Sequence, residues 1–207
     1  QAENMSGAQQ LEIEVKFLLA NRADFRGQLL AVGAVLTKPR VFERNVRFDT
    51  PDNRLLRQEE LLRLRQDTAV RLTYKGLAAE DAHSEAKIRE ELEIQVSDFD
   101  TAALIFTRLG FAPVQVYEKY RETFTWQDVE IVLDELPYGD FVELEGPEAA
   151  IKTAAADLGL SWDKRITNNY LGLMSAIKAF YKLDFDDLNF ANLQNIRVQM
   201  ADLVPTI

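Results

Sequence analysis

The sequence predicts an α+β domain: an eight-stranded antiparallel β-barrel with helices packed outside. Three observations carry that expectation. Eight segments alternate apolar and polar residues with a period of two, as strands do when successive side chains point to opposite faces. Several are joined by turns such as "QDTA" (66–69), "QD" (127–128) and "ELPYGD" (135–140), too short for a crossover, so neighbouring strands run antiparallel. The polar parity of these strands is dense in Arg and Glu and poor in neutral residues. A one-sided sheet with its polar face in water accounts for any single strand. It accounts less well for the whole set, whereas closing the sheet removes its edges and turns the charged face into a lumen.

The elements follow in chain order. The opening "QAENMSGAQQ" is polar and patternless, and residues 1–10 are expected to be disordered or tag-derived, with Met5 as the native start. The first strand, "LEIEVKFLL" (11–19), places Leu11, Ile13, Val15 and Phe17 on one face and Glu12, Glu14 and Lys16 on the other. A helix over 22–33 carries Phe25, Leu29, Leu30 and Val32 and stops at Gly33. Strands are then predicted at 41–49, 60–66, 69–75 and 86–96. A helix capped by Ser97 or Asp98 runs to Gly110. Strands at 116–126, 129–134 and 141–146 follow, then helices over 148–158 and 168–182. The barrel domain is thus assigned to 11–182. "LDFDD" (183–187) leads into an amphipathic stretch over 188–203, so 183–207 is expected to be a C-terminal helical extension. Its Leu188, Leu193, Ile196, Met200 and Leu203 could pack on the barrel, seal one of its ends, or join two subunits into a homodimer.

Bulk composition narrows the function. The net charge of −10 and the pI near 4.7 argue against bulk nucleic-acid binding, which needs a basic footprint. An acidic shell can still enclose a basic pocket for a small anion. The absence of cysteine excludes disulfides, thiolate metal sites and a Cys nucleophile. No apolar run is long enough to span a bilayer as a helix and no secretory signal is visible, so a cytoplasmic protein without a membrane partner is expected.

The charged parity segregates by strand. Arg63, Arg65, Arg71, Lys75, Lys119 and Arg121 make basic strands, whereas Glu12/Glu14, Glu91/Glu93 and Glu143/Glu145 are acidic pairs spaced two apart. Each pair points two carboxylates the same way, and like charges that close repel unless a cation lies between them. Hard Mg²⁺, Mn²⁺ or Ca²⁺ suits such oxygens, and arginine forks suit phosphate oxygens. Together they match a metal–polyphosphate complex. Arg44, Glu90, Glu118 and Glu122 break the alternation by placing charge on the apolar parity.

"ExExK" (Glu12, Glu14, Lys16) resembles the signature of the CYTH superfamily, the triphosphate tunnel metalloenzymes. In order along the chain, "FDTPDNRLLRQEELLRLR" (48–65), "LTYKG" (72–76), "REELE" (89–93), "EKYR" (118–121), "VLDELPYGDFVELEG" (132–146) and "NYLGL" (169–173) agree with it. ExExK alone is a weak signal; the ordered set, over roughly 11–182, is a strong one. The resemblance implies an eight-stranded antiparallel tunnel and a metal-dependent reaction on a small-molecule triphosphate. It implies that Lys16, Arg63, Arg65, Lys75 and Arg121 bind the triphosphate, with Arg89 and Lys119 as additional contacts. It implies that Glu12, Glu14, Glu143 and Glu145 hold one or two divalent ions, Mg²⁺ or Mn²⁺, while Glu91, Glu93 and Asp134 complete that shell or orient water.

Hydrolysis of inorganic tripolyphosphate or an organic triphosphate is the leading expectation. The alternative within the family is a class IV-type adenylyl cyclase making cyclic AMP and pyrophosphate. Some cyclases carry a His-Phe element near the N-terminus, which is absent here; the single histidine, His83, falls in a predicted loop. A noncatalytic polyphosphate- or nucleotide-binding module would not need all four metal carboxylates, and an apolar-ligand barrel is opposed by the charged parity. Trp126, Trp162, Tyr138 and Tyr170 are candidates to pack an organic group, although Trp126 lies on the apolar parity. A shared lumen for Glu12, Arg65, Lys75 and Glu145 is the structural consequence that separates these readings from an open sheet.

Overall fold

A computed structural model describes residues 11–77, 87–166, 168 and 170–204. The strands are β1 (Leu11–Leu19), β2 (Val35–Asp49), β3 (Leu61–Gln66), β4 (Val70–Leu77), β5 (Lys87–Val96), β6 (Ala112–Trp126), β7 (Val129–Leu136) and β8 (Gly139–Glu145). The helices are α1 (Arg22–Ala31), α2 (Arg54–Arg57), α3 (Phe99–Arg108), α4 (Glu148–Asp157), α5 (Tyr170–Tyr181) and α6 (Phe190–Leu193). Every strand pairs antiparallel with two others in the order β1-β5-β4-β3-β2-β6-β7-β8, and β8 returns to β1, so the sheet closes into a barrel. His83 lies outside the described residues. Among the described residues no helix is long and apolar enough to cross a membrane.

Hydrophobic cores lie outside the barrel. Val15, Phe17, Ile131, Leu133, Val142 and Leu144, on the outer parity of β1, β7 and β8, meet Phe25 and Leu29 of α1 and Ile151, Ala154 and Ala155 of α4. Phe106 of α3 packs on Val46, Phe48 and Leu64. Truncating a fully buried member such as Ile131 or Leu144 to Ala costs about 2–5 kcal/mol. Two charges that broke the alternation tie other elements to this outer surface. Glu122 accepts a fork of hydrogen bonds at 2.9–3.0 Å from Arg26 on α1, and Glu118 accepts the Phe190 N–H at 3.0 Å.

Local chemistry explains where elements begin and end. Asn21 and Asp98 cap α1 and α3 through side-chain oxygens. Gly146 ends β8 at φ +152°, where a Cβ would stand 2.7 Å from the Asp128 carbonyl, so only glycine fits. β2 and β6 start earlier than the alternation predicts, because Pro39 and Pro113 interrupt the pattern. Both prolines sit beside register shifts between β2 and β6, the irregularities at which a strand tolerates a missing donor. The one-turn α2 is too short to show a period. It is held by Asp49, whose carboxylate accepts the N–H groups of Thr50, Leu55 and Leu56 at 2.7–3.0 Å.

The C-terminal segment differs from the expected helical extension. Its helix is confined to α6, with a 3₁₀ turn at Met200–Asp202. The reason is β6: Leu188 bonds its backbone to Val116 and Glu118, and Asp187 accepts the Val116 N–H, so this stretch is drawn extended along the barrel. Leu188, Leu193, Met200 and Val204 are buried with Leu173, Met174 and Ile177 of α5. Together they cover one barrel end, where the lumen-facing positions turn apolar at Leu18, Leu136 and Phe141.

Candidate active site

Away from that covered end the lumen holds a cavity of about 580 Å³. Glu12, Glu14, Lys16, Arg63, Arg65, Lys75, Arg89, Glu91, Glu93, Lys119, Arg121, Glu143 and Glu145 all line it. The predicted common lumen for Glu12, Arg65, Lys75 and Glu145 is therefore present. The strand order explains the gathering. Closure sets β1 between β5 and β8, so the acidic pairs of three strands become adjacent; β2 lies between β3 and β6, so the basic strands flank Glu43.

The basic wall is an ion-pair lattice. Arg121 places its Nε and Nη2 at 2.7 and 2.6 Å from the two Asp134 oxygens and reaches Glu143 at 2.6 Å. Lys119 donates to Asp134 at 2.9 Å. Glu43, 2% exposed, lies 3.8 Å from Arg65 and 3.7 Å from Lys119. Burial alone would raise Glu43, but Lys119, Arg121, Arg65 and Arg63 outweigh it and hold its pKa down at about 2. Glu143 is likewise driven well below the ordinary range: burial opposes ionisation, and Lys16 and Arg121 overcome it. Arg63 donates to the Tyr117 hydroxyl and to Thr73 at 3.1 Å. The buried Nε atoms of Arg63 and Arg65 and Oε2 of Glu43 make no hydrogen bond.

The acidic wall is short of positive charge. Glu14 stands opposite Glu145 across the β1–β8 ladder, and Glu145 stands opposite Glu130 across β7–β8. Burial, then Glu130, pushes the Glu145 pKa up to about 7 despite Lys75. Burial does the same to Glu12, also to about 7, with Lys75 opposing and Glu14 and Glu91 reinforcing. Lys75 lies 3.0 Å from Glu91 and bonds Glu12 as well. Glu91 is shifted down: burial raises it, and Lys75 and a hydrogen bond with Glu12 prevail. Lys16 is 1% exposed and sits between the walls, 3.2 Å from Glu14 and 3.5 Å from Glu143.

The structure revises two predicted roles. Asp134 does not line the cavity; it is fully buried behind Lys119 and Arg121 and also accepts the Tyr170 hydroxyl at 3.0 Å. It fixes cations and does not face a substrate or water. Glu93 lines the cavity but accepts from Arg65 at 3.0 and 3.1 Å and from Thr73 at 2.9 Å, so it aims the arginines. Sequence reasoning omitted Glu43, Arg71 and Glu130 from the site, although all three line the cavity. Glu43 lay on the charged parity but had no carboxylate two residues away to mark it. Of the aromatic candidates only Tyr170 reaches the lumen, its ring 5.1 Å from Lys16 Nζ and 5.3 Å from Lys119 Nζ. Trp126 and Trp162 pack against the core outside the barrel, and Tyr138 is buried in the covered barrel end.

Glu12, Glu14, Glu143 and Glu145 offer hard oxygen donors. Among the described residues no three acidic or His side chains are yet close enough together to hold an ion. The ammonium groups of Lys16 and Lys75 stand among them. The donor set nevertheless fits a divalent cation: burial, then neighbouring carboxylates, pushes Glu12 and Glu145 up to about 7, a cost that a bound cation would relieve.

A family model for the CYTH domain matches residues 10–162. The chain is 31% identical over 137 residues to a protein of Methanocaldococcus jannaschii named as a candidate adenylate cyclase, covering 65% of this chain and 76% of that one. Among solved structures, a Vibrio parahaemolyticus protein, also named as a candidate adenylate cyclase, matches with TM-score 0.72 and 21% identity over 80% of this chain and 98% of that one. A Hippeastrum protein, described as a candidate adenylyl cyclase with a dominant triphosphatase activity, matches with TM-score 0.55 and 18% identity over 76% of this chain and 91% of that one. These two structural likenesses speak to fold.

Proposed function

Because the chain belongs to the CYTH domain family, we propose that its lumen is a triphosphate tunnel that hydrolyses a small-molecule triphosphate with a divalent metal. One observation carries this reading: a single cavity sets a wall of arginines and Lys119 opposite a wall crowded with carboxylates, two of which burial and neighbouring carboxylates shift upward. A polyanion and a cation are the two components such walls need. The buried arginine Nε atoms without hydrogen bonds are donors free for phosphate oxygens.

In this reading Arg63, Arg65, Lys119 and Arg121 bind the phosphate oxygens, already oriented by Glu93, Tyr117 and Asp134. Such preorganised charge is most of the catalytic work in phosphoryl transfer. Arg89 supplies a further contact at the lumen's far end. Glu12, Glu14 and Glu145 would hold Mg²⁺ or Mn²⁺, with Glu143 beside them, and the bound ion would supply a Lewis acid that neutralises phosphate charge. Lys16 and Lys75, which pair with these carboxylates, also stand in the lumen where they would meet phosphate oxygens. Glu91, held ionised, orients the attacking water and accepts its proton.

Cyclisation of ATP is the second reading, favoured by the names of the Methanocaldococcus and Vibrio proteins. The triphosphatase described for the Hippeastrum protein supports the first. The lumen supports it too: the aromatic lining residues, Tyr117 and Tyr170, are tied by their hydroxyls to Arg63 and Asp134, and Tyr170 turns its ring to two ammonium groups. Neither is free to stack a base. The deciding assay incubates the protein with tripolyphosphate or ATP and Mg²⁺ or Mn²⁺. Orthophosphate release from tripolyphosphate that is lost in Glu14→Gln is the expected result. Cyclic AMP and pyrophosphate from ATP, with tripolyphosphate untouched, would replace the lead with the cyclase.

A further inference from the structure

The covered barrel end is sealed unevenly. Under β1, β7 and β8 the seal is apolar, made by Leu18, Leu136 and Phe141 against α5. Under β2, β5 and β6 there is a second cavity of about 500 Å³, between the barrel end, α5 and the stretch around Phe185–Leu188. It opens to solvent past the exposed Asn53, Glu59 and Ser175.

Two arginines line this cavity beside Lys178, Glu59, Glu60 and Asp186; Lys178 pairs with Asp186, and among the described residues neither arginine has a carboxylate within ion-pair distance. Arg47 has one long hydrogen bond, 3.4 Å, to Gln115. Burial lowers its pKa, with Asp49 opposing, so its charge is held at a cost that a bound anion would relieve. Among the described residues Arg89 donates to the backbone carbonyls of Gly76 and Glu59, and it lines both cavities. The partition between them is polar and under-bonded. Asn45, on the lumen face two residues from Arg47, is fully buried with neither amide atom hydrogen-bonded, and it stands level with Tyr117 and Arg65. A buried amide left without partners costs about 1–3 kcal/mol.

We propose that the second cavity is a binding site for an inorganic phosphate anion, held by Arg47 and Arg89, and that it takes up the small product released in the lumen through the Asn45–Arg63–Tyr117 partition. The uptake of product rests on the triphosphatase reading; the anion site does not. No bond is made or broken in the step. Arg89 contributes to both cavities, so an anion moving between them stays beside positive charge.

Orthophosphate binding to the full chain is measured by calorimetry, alone and with Mg²⁺ and imidotriphosphate filling the lumen. Orthophosphate should still bind the filled protein, and Arg47→Ala should weaken that binding at least about tenfold, the loss expected for one charge-assisted contact. Ser175→Trp, an exposed position at the mouth, should weaken it without removing charge, which covers the case of a misfolded Arg47→Ala. Unchanged binding in both variants, or no orthophosphate binding to the filled wild type, overturns the site. If imidotriphosphate fails to bind while orthophosphate still depends on Arg47, the triphosphate reading fails and the second site stands. The uptake itself is read from turnover of tripolyphosphate. Inhibition by orthophosphate should be noncompetitive in the wild type and purely competitive in Arg47→Ala; competitive inhibition in both sinks the uptake step.

Discussion

The two walls of the lumen contain the same residue type and treat it in opposite ways. Glu43, on the basic wall, is held at a pKa of about 2; Glu145, on the acidic wall, is pushed to about 7. Both suffer desolvation, and cross-strand neighbours decide the sign. Glu43 faces Lys119 in register, whereas Glu145 faces Glu14 and Glu130. The carboxylates of one wall are complete in counter-charge within the protein, whereas those of the other, incomplete wall face one another.

The largest expected effect lies on the complete wall. Asp134→Asn leaves Lys119 and Arg121 buried beside a neutral amide. Removing one partner of a buried ionic cluster costs about 3–5 kcal/mol, readable as a fall in urea midpoint at constant slope. A loss below about 1 kcal/mol would mean that solvent or Glu143 compensates, and that the wall is not self-contained.

Next comes catalysis. Arg65 has an unbonded Nε and is aimed by Glu93. Arg65→Ala should lower tripolyphosphate turnover by about 10²–10³-fold, the scale for losing one preorganised charge donor. The same variant should change stability much less than Asp134→Asn, because the Glu93 it leaves behind is partly exposed. Equal losses of stability and turnover would make Arg65 a structural residue.

The division between walls was only half legible in the sequence. Period-two alternation exposed the charged face of each strand, and the helix caps and glycine stops bounded most helices, because these are local signals. Pro39 and Pro113 hid the first turns of β2 and β6, since a proline beside a bulge looks like a break until its partner strand is known. The family resemblance implied a role for Asp134 beside the metal or water; that Lys119, Arg121 and Tyr170 enclose it depends on β6 and on α5, far along the chain. The tail looked helical from its apolar spacing, but β6 claimed its backbone hydrogen bonds. Glu12 and Glu145 were marked by i, i+2 pairing; the crowding that shifts them needs β1 to lie between β5 and β8.

The third effect separates the walls by pH. Glu43 has a folded pKa below the ordinary 4.5, so its stabilisation is complete above that value and is lost as pH falls toward about 2. Glu12 and Glu145 have folded pKa values above 4.5, so their contribution is complete below 4.5 and is lost as pH rises through about 7. The lumen therefore contributes most stability near pH 4.5 in metal-free protein. Thermal melting in EDTA should show the midpoint falling on both sides of that pH. Adding Mg²⁺ should raise it at pH 8 and have little effect at pH 4, where Glu12 and Glu145 are protonated. An equal Mg²⁺ effect at both pH values would place the ion elsewhere.

The smallest effect inverts the first. Glu145→Gln removes a charge from the wall that already has too much of its own sign, with Glu14 and Glu130 directly opposite. In metal-free protein at pH 8 it should stabilise by at least about 1 kcal/mol, the free energy of a single unit of the rise in its pKa. In saturating Mg²⁺ the gain should vanish or reverse, because the amide cannot replace the carboxylate as a hard anionic ligand. The pair of measurements tests the incomplete wall without using turnover. Stabilisation that persists in Mg²⁺ would show that Glu145 relieves no ion and that the wall's repulsion serves some other partner.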